Sequence, residues 1–188
     1  MDEIEIVSYD PRWPTLFAAE AARIRAAVGG QLIAAIEHFG STAVPGLSAK
    51  PVIDILVAVR SLAQARQEAV PSLEALGYSY WRDNPDPHHM FFVKGLPPLG
   101  PRTHHVHLVE FGSPDARLTG EDTFWDRLLF RDYLRTHPEE VRRYEALKRY
   151  LATRFPTDRE AYTDGKTDYV RSVMVKARQE RRREHGAP

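Results

Sequence analysis

The fold is decided by residues 38–59, which read His38-Phe39-Gly40-Ser41-Thr42-Ala43-Val44-Pro45-Gly46-Leu47-Ser48-Ala49-Lys50-Pro51-Val52-Ile53-Asp54-Ile55-Leu56-Val57-Ala58-Val59. Residues 52–59 form an almost unbroken apolar, β-branched run, which is typical of a buried strand. Residues 33–39 are apolar enough for a second short strand. Residues 40–51 are rich in Gly, Ser, Thr and Pro, which predicts a loop between the two strands. One charged residue, Asp54, interrupts the second strand.

An ionised carboxylate in an apolar strand is costly unless a metal, a basic side chain or solvent in a cleft compensates it. The preceding loop offers groups for the same site. Gly40 permits positive φ and close backbone approach, and Ser41 and Thr42 supply hydroxyl and N–H groups that can hold a phosphate. Lys50 adds a cation. A phosphate-binding turn beside a metal-binding Asp54 is the minimum for phosphoryl or nucleotidyl transfer. An ordinary glycine turn, with Asp54 paired to an arginine, is the more frequent meaning of so short a motif.

Residues 38–54 resemble the signature of the GrpB family. Three further segments resemble that family, namely Thr103-His-His-Val-His107, Phe130-Arg-Asp-Tyr-Leu-Arg135 and Tyr144-Glu-Ala-Leu-Lys148. The resemblance covers nearly the whole chain. It implies a member of the nucleotidyltransferase superfamily, whose GrpB domain is also found fused to some dephospho-CoA kinases. The implied fold is α/β (α+β), with a mixed, largely antiparallel sheet, flanking helices and a helical C-terminal part.

One residue departs from the superfamily pattern. Nucleotidyltransferases usually carry an Asp-x-Asp or Asp-x-Glu pair on the strand after the Gly-Ser turn, whereas Asp54 is followed two residues later by Leu56. A two-metal site needs ligands for both ions. Another residue therefore supplies the missing ligand, or one metal suffices, or the transferase chemistry has been lost.

Histidines are the next chemical signal. Five of them lie in two predicted strands, at His88, His89, His104, His105 and His107. Because side chains alternate along a strand, His105 and His107 share one face and His104 points to the other. With Asp54, that pair could bind a divalent metal such as Mg²⁺ or Mn²⁺, and imidazole ligands would favour a transition metal. One of them could instead be a general base. Packing or hydrogen bonding is an equal alternative for His105 and His107, and the preferred role of the other three.

Two basic residues in the helical part could contact phosphate, Arg131 and Lys148. Both lie in segments that resemble the family. Side chains of this type in mixed-charge regions are more often solvated or paired with an acid. The aromatic residues beside them, Phe130, Tyr133 and Tyr144, are spaced for packing between helix and sheet.

Composition sets the outer limits. A chain of 188 residues with 43% hydrophobic residues suits one globular domain, residues 1–188. Formal net charge is zero, so no overall field favours nucleic acid. The lack of cysteine excludes disulfides, thiolate catalysis and zinc–thiolate sites. No signal peptide or membrane-length apolar run is apparent, which predicts a cytoplasmic protein.

The remaining elements follow from periodicity and from turn residues. Helices are predicted at residues 13–28, 61–76, 119–134, 138–155 and 159–182. Further strands are predicted at residues 78–82, 88–94 and 103–111. Residues 119–182 thus form a helical C-terminal part of the same domain.

The leading functional prediction is metal-dependent transfer of a nucleotidyl group, from ATP, to an unknown small acceptor. Gly40, Ser41 and Thr42 would hold phosphates with help from Lys50 and Arg131. Asp54, His105 and His107 would bind the metal, and one of these histidines could deprotonate the acceptor. Two alternatives stay open: a non-catalytic nucleotide- or phosphate-binding module, and a metal-assisted hydrolase using the same Asp and two His. A homodimer or a protein partner is compatible with either.

Overall fold

The computed structural model describes residues 3–96, 100–112, 124–184 and 186. The first residues of the helix predicted at 119–134 lie outside these ranges, as does part of the connection at 95–101. The remaining predicted elements can be compared with the structure.

The strands are β1 (Ile33–Phe39), β2 (Ile53–Val59), β3 (Tyr78–Tyr80), β4 (His89–Lys94) and β5 (His104–Glu110). The helices, in chain order, are α1 (Trp13–Val28), α2 (Leu62–Ala75), α3 (Phe124–Thr136), α4 (Pro138–Arg154), α5 (Arg159–Asp164) and α6 (Thr167–Glu184). A short 3₁₀ turn, Ser41–Ala43, lies between β1 and β2. The described elements confirm most of the predicted ones to within a few residues.

The five strands form one sheet in the order β1-β2-β5-β4-β3. Neighbouring strands are antiparallel except for β2 and β5, which are parallel. The prediction of a mixed, largely antiparallel sheet is confirmed. Its register places Asp54 beside His105 and Leu56 beside His107.

The two faces of the sheet are covered differently. Ile55 and Val57 of β2 belong to the main core, which α1 and α2 close with residues such as Ile24 and Leu73. Alternate β2 residues point the other way, and Leu56 and Ala58 pack there against Phe124 and Leu128 of α3. Asp54 lies on this second face, one step before the packed residues. The site therefore opens where the cover provided by α3 ends.

The helix predicted at 159–182 is wrong in one respect, because two helices occupy that range. They are separated at Gly165 and Lys166. A Cβ on Gly165 would overlap the side chain of Leu151 in α4, so this glycine lets the chain pass close to α4. The break leaves Lys166 at a corner beside the second face of the sheet.

Across the described ranges, no helix is long and apolar enough to cross a membrane.

Candidate functional site

A cavity of about 560 Å³ lies between the uncovered end of the second sheet face and the C-terminal helices. Its sheet end is lined by Phe39, Gly40, Ser41, Asp54, Phe91, His105 and His107. Its opposite end is lined by Lys50, Lys148, Tyr162, Lys166, Val170 and Met174. The sheet and the helical part thus both contribute to one site.

Asp54 is the central acid of the sheet end. Its Oδ1 lies 3.1 Å from Nδ1 of His105 and 3.9 Å from Nε2 of His107. Burial opposes ionisation of Asp54, but hydrogen bonding and charge interaction with His105 and His107 outweigh burial and hold its pKa below the ordinary value. The carboxylate is therefore ionised at neutral pH, and 27% of the side chain remains exposed toward the cavity.

Position 40 must be a glycine because the carboxylate of Asp54 lies close against it. The residue has φ 70°, which confirms the predicted positive φ. A Cβ at this position would overlap Oδ2 of Asp54. Phe39 pairs with Asp54 across β1 and β2, so the next residue lies directly over the acid. The side chain that approaches Gly40 most closely is that of Asp54.

The two hydroxyl residues of the turn differ in their surroundings. Thr42 is 1% exposed, and its Oγ1 lies 3.0 Å from Nε2 of His38, so its hydroxyl bonds within the protein. Ser41 is more exposed and lines the cavity. Burial lowers the pKa of His38 to about 4, so the ring is neutral at physiological pH. Ser41 can face a ligand, whereas Thr42 fixes the turn.

His105 and His107 lie on the predicted face, and β4 holds one of them in place. Nδ1 of His107 is 2.9 Å from Nε2 of His89, and the two rings stack with centroids 5.0 Å apart. Burial lowers the pKa of His89 to about 3 and that of His107 to about 4, so both rings are neutral at pH 7. The sequence favours a packing or hydrogen-bonding role for His89, and the structure shows this role in its contact with His107.

This cluster fits a metal ion. Two ligands each about 2.1 Å from one ion are about 3 to 3.5 Å apart, close to the distances from Asp54 to its two histidines. Nδ1 is the His105 ring atom that faces Asp54, so it is the atom that would bind the ion. The contact with His89 orients His107, as the partners of metal-binding histidines do. One carboxylate with two imidazoles suits Mn²⁺, Fe²⁺ or Zn²⁺ better than Mg²⁺.

Leu56 shows why a second carboxylate is missing from β2. Its side chain is fully buried in the apolar cluster beneath α3. The strand position that carries the second acid in an Asp-x-Asp pair is therefore part of the core. His107, the register partner of Leu56, directs Nε2 toward Asp54 instead.

The sequence model of the family described as "GrpB protein" matches residues 3–176. This chain belongs to the GrpB family. A crystal structure of the conserved protein GrpB from Enterococcus faecalis has a TM-score of 0.78 and 30% identity, covering 94% of this chain and 98% of that one. The fold is nucleotidyltransferase-like, as expected.

Relatives in the family differ in length. A UPF0157 protein of Pseudomonas aeruginosa is 49% identical over 94% of this chain and 68% of its own length. The glutamate-rich protein GrpB of Alkalihalophilus pseudofirmus is 33% identical over 92% of this chain and 94% of its own length. A dephospho-CoA kinase of Mycolicibacterium paratuberculosis is 28% identical over 93% of this chain, which spans 46% of that protein. The GrpB domain therefore also occurs within longer proteins.

Among the predicted phosphate contacts of this GrpB-family chain, Arg131 is placed elsewhere. Its guanidinium donates to Oε2 of Glu37 at 2.9 Å, to the carbonyl oxygen of His38 at 2.8 Å and to Oδ1 of Asp132 at 2.7 Å. It is buried and does not line the cavity. Arg131 joins α3 to β1, so it belongs to the scaffold of the site.

Lys50 and Lys148 do line the cavity, and Lys166 joins them there. Sequence reasoning missed Lys166 because it treated residues 159–182 as one helix. Gly165, an isolated glycine in a helical pattern, was the signal for the break. The site therefore contains more positive charge than the sequence motifs had indicated.

Proposed function

We propose that this GrpB-family protein is a metal-dependent nucleotidyltransferase that moves a nucleotidyl group from ATP to a small acceptor. The observation that carries the proposal is the position of Asp54, His105 and His107 at one end of a cavity whose other end presents lysines. A metal–nucleotide complex has a cation and an anionic chain that match these two ends. The nucleotidyltransferase-like fold supports the same reaction class.

Asp54, His105 and His107 would hold a divalent ion, which supplies Lewis-acid polarisation of the α-phosphate. Ser41 donates its hydroxyl to a phosphate oxygen, and Gly40 keeps the turn close to the acid. Lys50 offsets phosphate charge. If only one histidine of the pair binds the ion, the other would accept the proton of the acceptor hydroxyl.

The test is calorimetric titration of the purified protein with ATP and with an analogue that cannot be cleaved between the α- and β-phosphates. Titrations are run with Mn²⁺, with Mg²⁺ and with chelator, on the wild type and on Asp54→Ala. We expect metal-dependent binding that the variant loses, followed by pyrophosphate release in a screen of small acceptors. Absence of nucleotide binding with every metal would overturn the proposal.

A second candidate, metal-assisted hydrolysis by the same three residues, is favoured by the burial of Leu56. In the described part of the chain, the cluster at Asp54 offers ligands for one ion, and many hydrolases use one ion to activate water. A hydrolase would retain a transition metal through purification and cleave phosphoesters without an acceptor. A transferase would release pyrophosphate only when the acceptor is present. Binding with no product under either condition would indicate a binding module.

A further inference from the structure

The lining of the cavity also contains a group that we call the lysine cluster: Lys50, Lys148 and Lys166. The three residues come from the loop before β2, from α4 and from the break between α5 and α6. Nζ of Lys50 lies 5.0 Å, and Nζ of Lys166 4.5 Å, from the ring centroid of Tyr162. All three side chains and Tyr162 line the cavity.

Lys148 is the most buried member, with 2% of its surface exposed. Its ammonium group donates to the carbonyl oxygen of Ser48 and lies 4.9 Å from the ring centroid of Tyr144. A buried amine with so few partners is costly in its charged form. Burial and the neighbouring lysines lower the pKa of Lys148 to about 7 and that of Lys166 to about 8.

Nearby acids compensate Lys148 and Lys166 only in part. Glu145 acts on Lys148, but it accepts hydrogen bonds from the Ser48 hydroxyl at 2.9 Å and from Arg149 at 3.0 Å. Asp54 favours the charged form of Lys166, which shows that the cluster adjoins the sheet end. No described carboxylate forms an ion pair with Lys148 or Lys166. These positive groups converge on a space that an anion can enter.

We propose that the lysine cluster binds a polyphosphate chain, which in the proposed reaction is the β- and γ-phosphates of the nucleotide. This placement rests on the proposed function, and it differs from holding these phosphates in the turn at Gly40 and Ser41. Thr42 already uses its hydroxyl within the protein, so the turn offers little for two phosphates. Lysines are compact point charges, and several of them suit a chain with charge spread along it.

The placement assigns the cluster a part in the reaction. An acceptor oxygen forms a bond to the α-phosphorus, and the bond from the α-phosphorus to the bridging oxygen breaks. The electron pair stays on that oxygen, so pyrophosphate leaves with increased negative charge. The acceptor's proton passes to a histidine of the sheet end or to solvent. Lys50, Lys148 and Lys166 stabilise the departing pyrophosphate.

The test uses inorganic tripolyphosphate as the probe, by calorimetric titration without metal at pH 6.5 and low salt, where Lys148 and Lys166 are mostly protonated. We expect wild-type binding, and a Kd raised at least about 10-fold by Lys166→Gln or Lys50→Gln, since a charge-assisted hydrogen bond contributes about 1.5 kcal/mol or more. Arg171→Gln is the matched control, because it removes one positive charge from an α6 side chain that is 77% exposed and outside the cavity. The control should stay within about twofold of wild type.

Lys148 needs its own pair of variants because it is buried. Lys148→Arg keeps the charge and Lys148→Met removes it, and melting curves identify any variant that does not fold. The titrations at Lys50 and Lys166 keep the proposal testable if Lys148→Met is unfolded. Absence of tripolyphosphate binding in the wild type, or equal Kd values in wild type, Lys50→Gln and Lys166→Gln, would overturn the proposal.

Two comparisons separate this proposal from the proposed function. AMP binding should be unchanged in Lys166→Gln if the cluster contacts only the β- and γ-phosphates, and equal losses for AMP and ATP would contradict that placement. Lysine-dependent tripolyphosphate binding without nucleotidyl transfer to any acceptor would support the binding role of the lysine cluster and exclude the transferase activity. Nucleotidyl transfer by the wild type, with tripolyphosphate binding unchanged in the lysine variants, would support the transferase activity and exclude the role proposed for the lysine cluster.

Discussion

The two ends of the cavity are built in opposite ways. The sheet end takes Asp54, His105 and His107 from neighbouring strands, where strand register sets their positions. The lysine cluster takes its residues from a loop, a helix and a helix break that are far apart in sequence. The sheet end presents the candidate metal ligands, whereas the lysine cluster presents groups that would attract an anion. This difference indicates that the cavity is polarised and would bind a metal–nucleotide complex in a single orientation.

The largest effect should come from removing the charge of the sheet end alone. Asp54→Asn should weaken Mn²⁺ binding and lower pyrophosphate release by about 1000-fold, since metal catalysis contributes several kcal/mol. Tripolyphosphate binding should stay within about threefold of wild type. Calorimetry and a pyrophosphate assay check both values. Full turnover in this variant, or loss of tripolyphosphate binding, would show that the two ends do not have separate roles.

Replacing Arg131 tests whether this residue stabilises the fold or contacts the nucleotide. Arg131→Met should lower the free energy of unfolding by about 2 kcal/mol, because it removes hydrogen bonds to the carbonyl oxygen of His38 and to the partly exposed Glu37 and Asp132. Nucleotide affinity of the folded fraction should not change. Urea unfolding and calorimetry measure the two quantities, with Arg171→Gln as the surface control. Weaker nucleotide binding at unchanged stability would instead make Arg131 a ligand contact.

Acid should destabilise the region of the sheet end through His38. Burial lowers its folded-state pKa to about 4 from an ordinary value of 6.5. The unfolded chain therefore binds a proton in this window that the folded protein does not. The stabilisation is complete above pH 6.5 and is lost as pH falls to about 4, by up to about 3 kcal/mol.

Urea unfolding at pH 7 and pH 4.5 measures this loss. The double variant His38→Phe with Thr42→Val removes the titrating ring together with its hydroxyl partner, so its stability should depend less on pH. The same pH dependence in both proteins would refute the assignment to His38.

The lysine cluster should also make the stability of the protein rise with pH, but in a higher pH range. The folded-state pKa of Lys148 is about 7, against an ordinary 10.5, so stability should rise with pH across this window. Between pH 7 and pH 9 the gain should be about 2 kcal/mol. Lys148→Met should lose the gain, and tripolyphosphate should reduce it in the wild type. Thermal melts at the two pH values with the Lys148→Arg comparison check this expectation.

The smallest effect should come from the turn. Ser41→Ala should raise the KM for ATP by about 3- to 10-fold, because it removes one hydrogen bond worth about 1 kcal/mol. Steady-state kinetics and calorimetry with tripolyphosphate make the comparison with Lys166→Gln. A larger loss of tripolyphosphate affinity for Ser41→Ala than for Lys166→Gln would place the phosphates in the turn.

Much of the sheet end could be predicted because its signals are local. Alternation along β5 put His105 and His107 on one face, and Asp54 interrupted an apolar run. The contact of His89 with His107 was not predicted, because it depends on the register between β4 and β5. Pairing of Arg131 with an acid was an open alternative, but its partners Glu37 and His38 were not predicted, since they are more than 90 residues away in sequence.

The sequence by itself determined the strands, most of the helices, the turn at Gly40 and the acid at Asp54, because short-range periodicity and turn chemistry specify them. Tertiary structure alone decided that Lys148 and Lys166 meet Lys50, that Thr42 faces inward and that Arg131 lies outside the cavity. These outcomes depend on how α3 to α6 pack across the sheet. Packing brings together residues distant in sequence, and no local pattern records which side chains will meet.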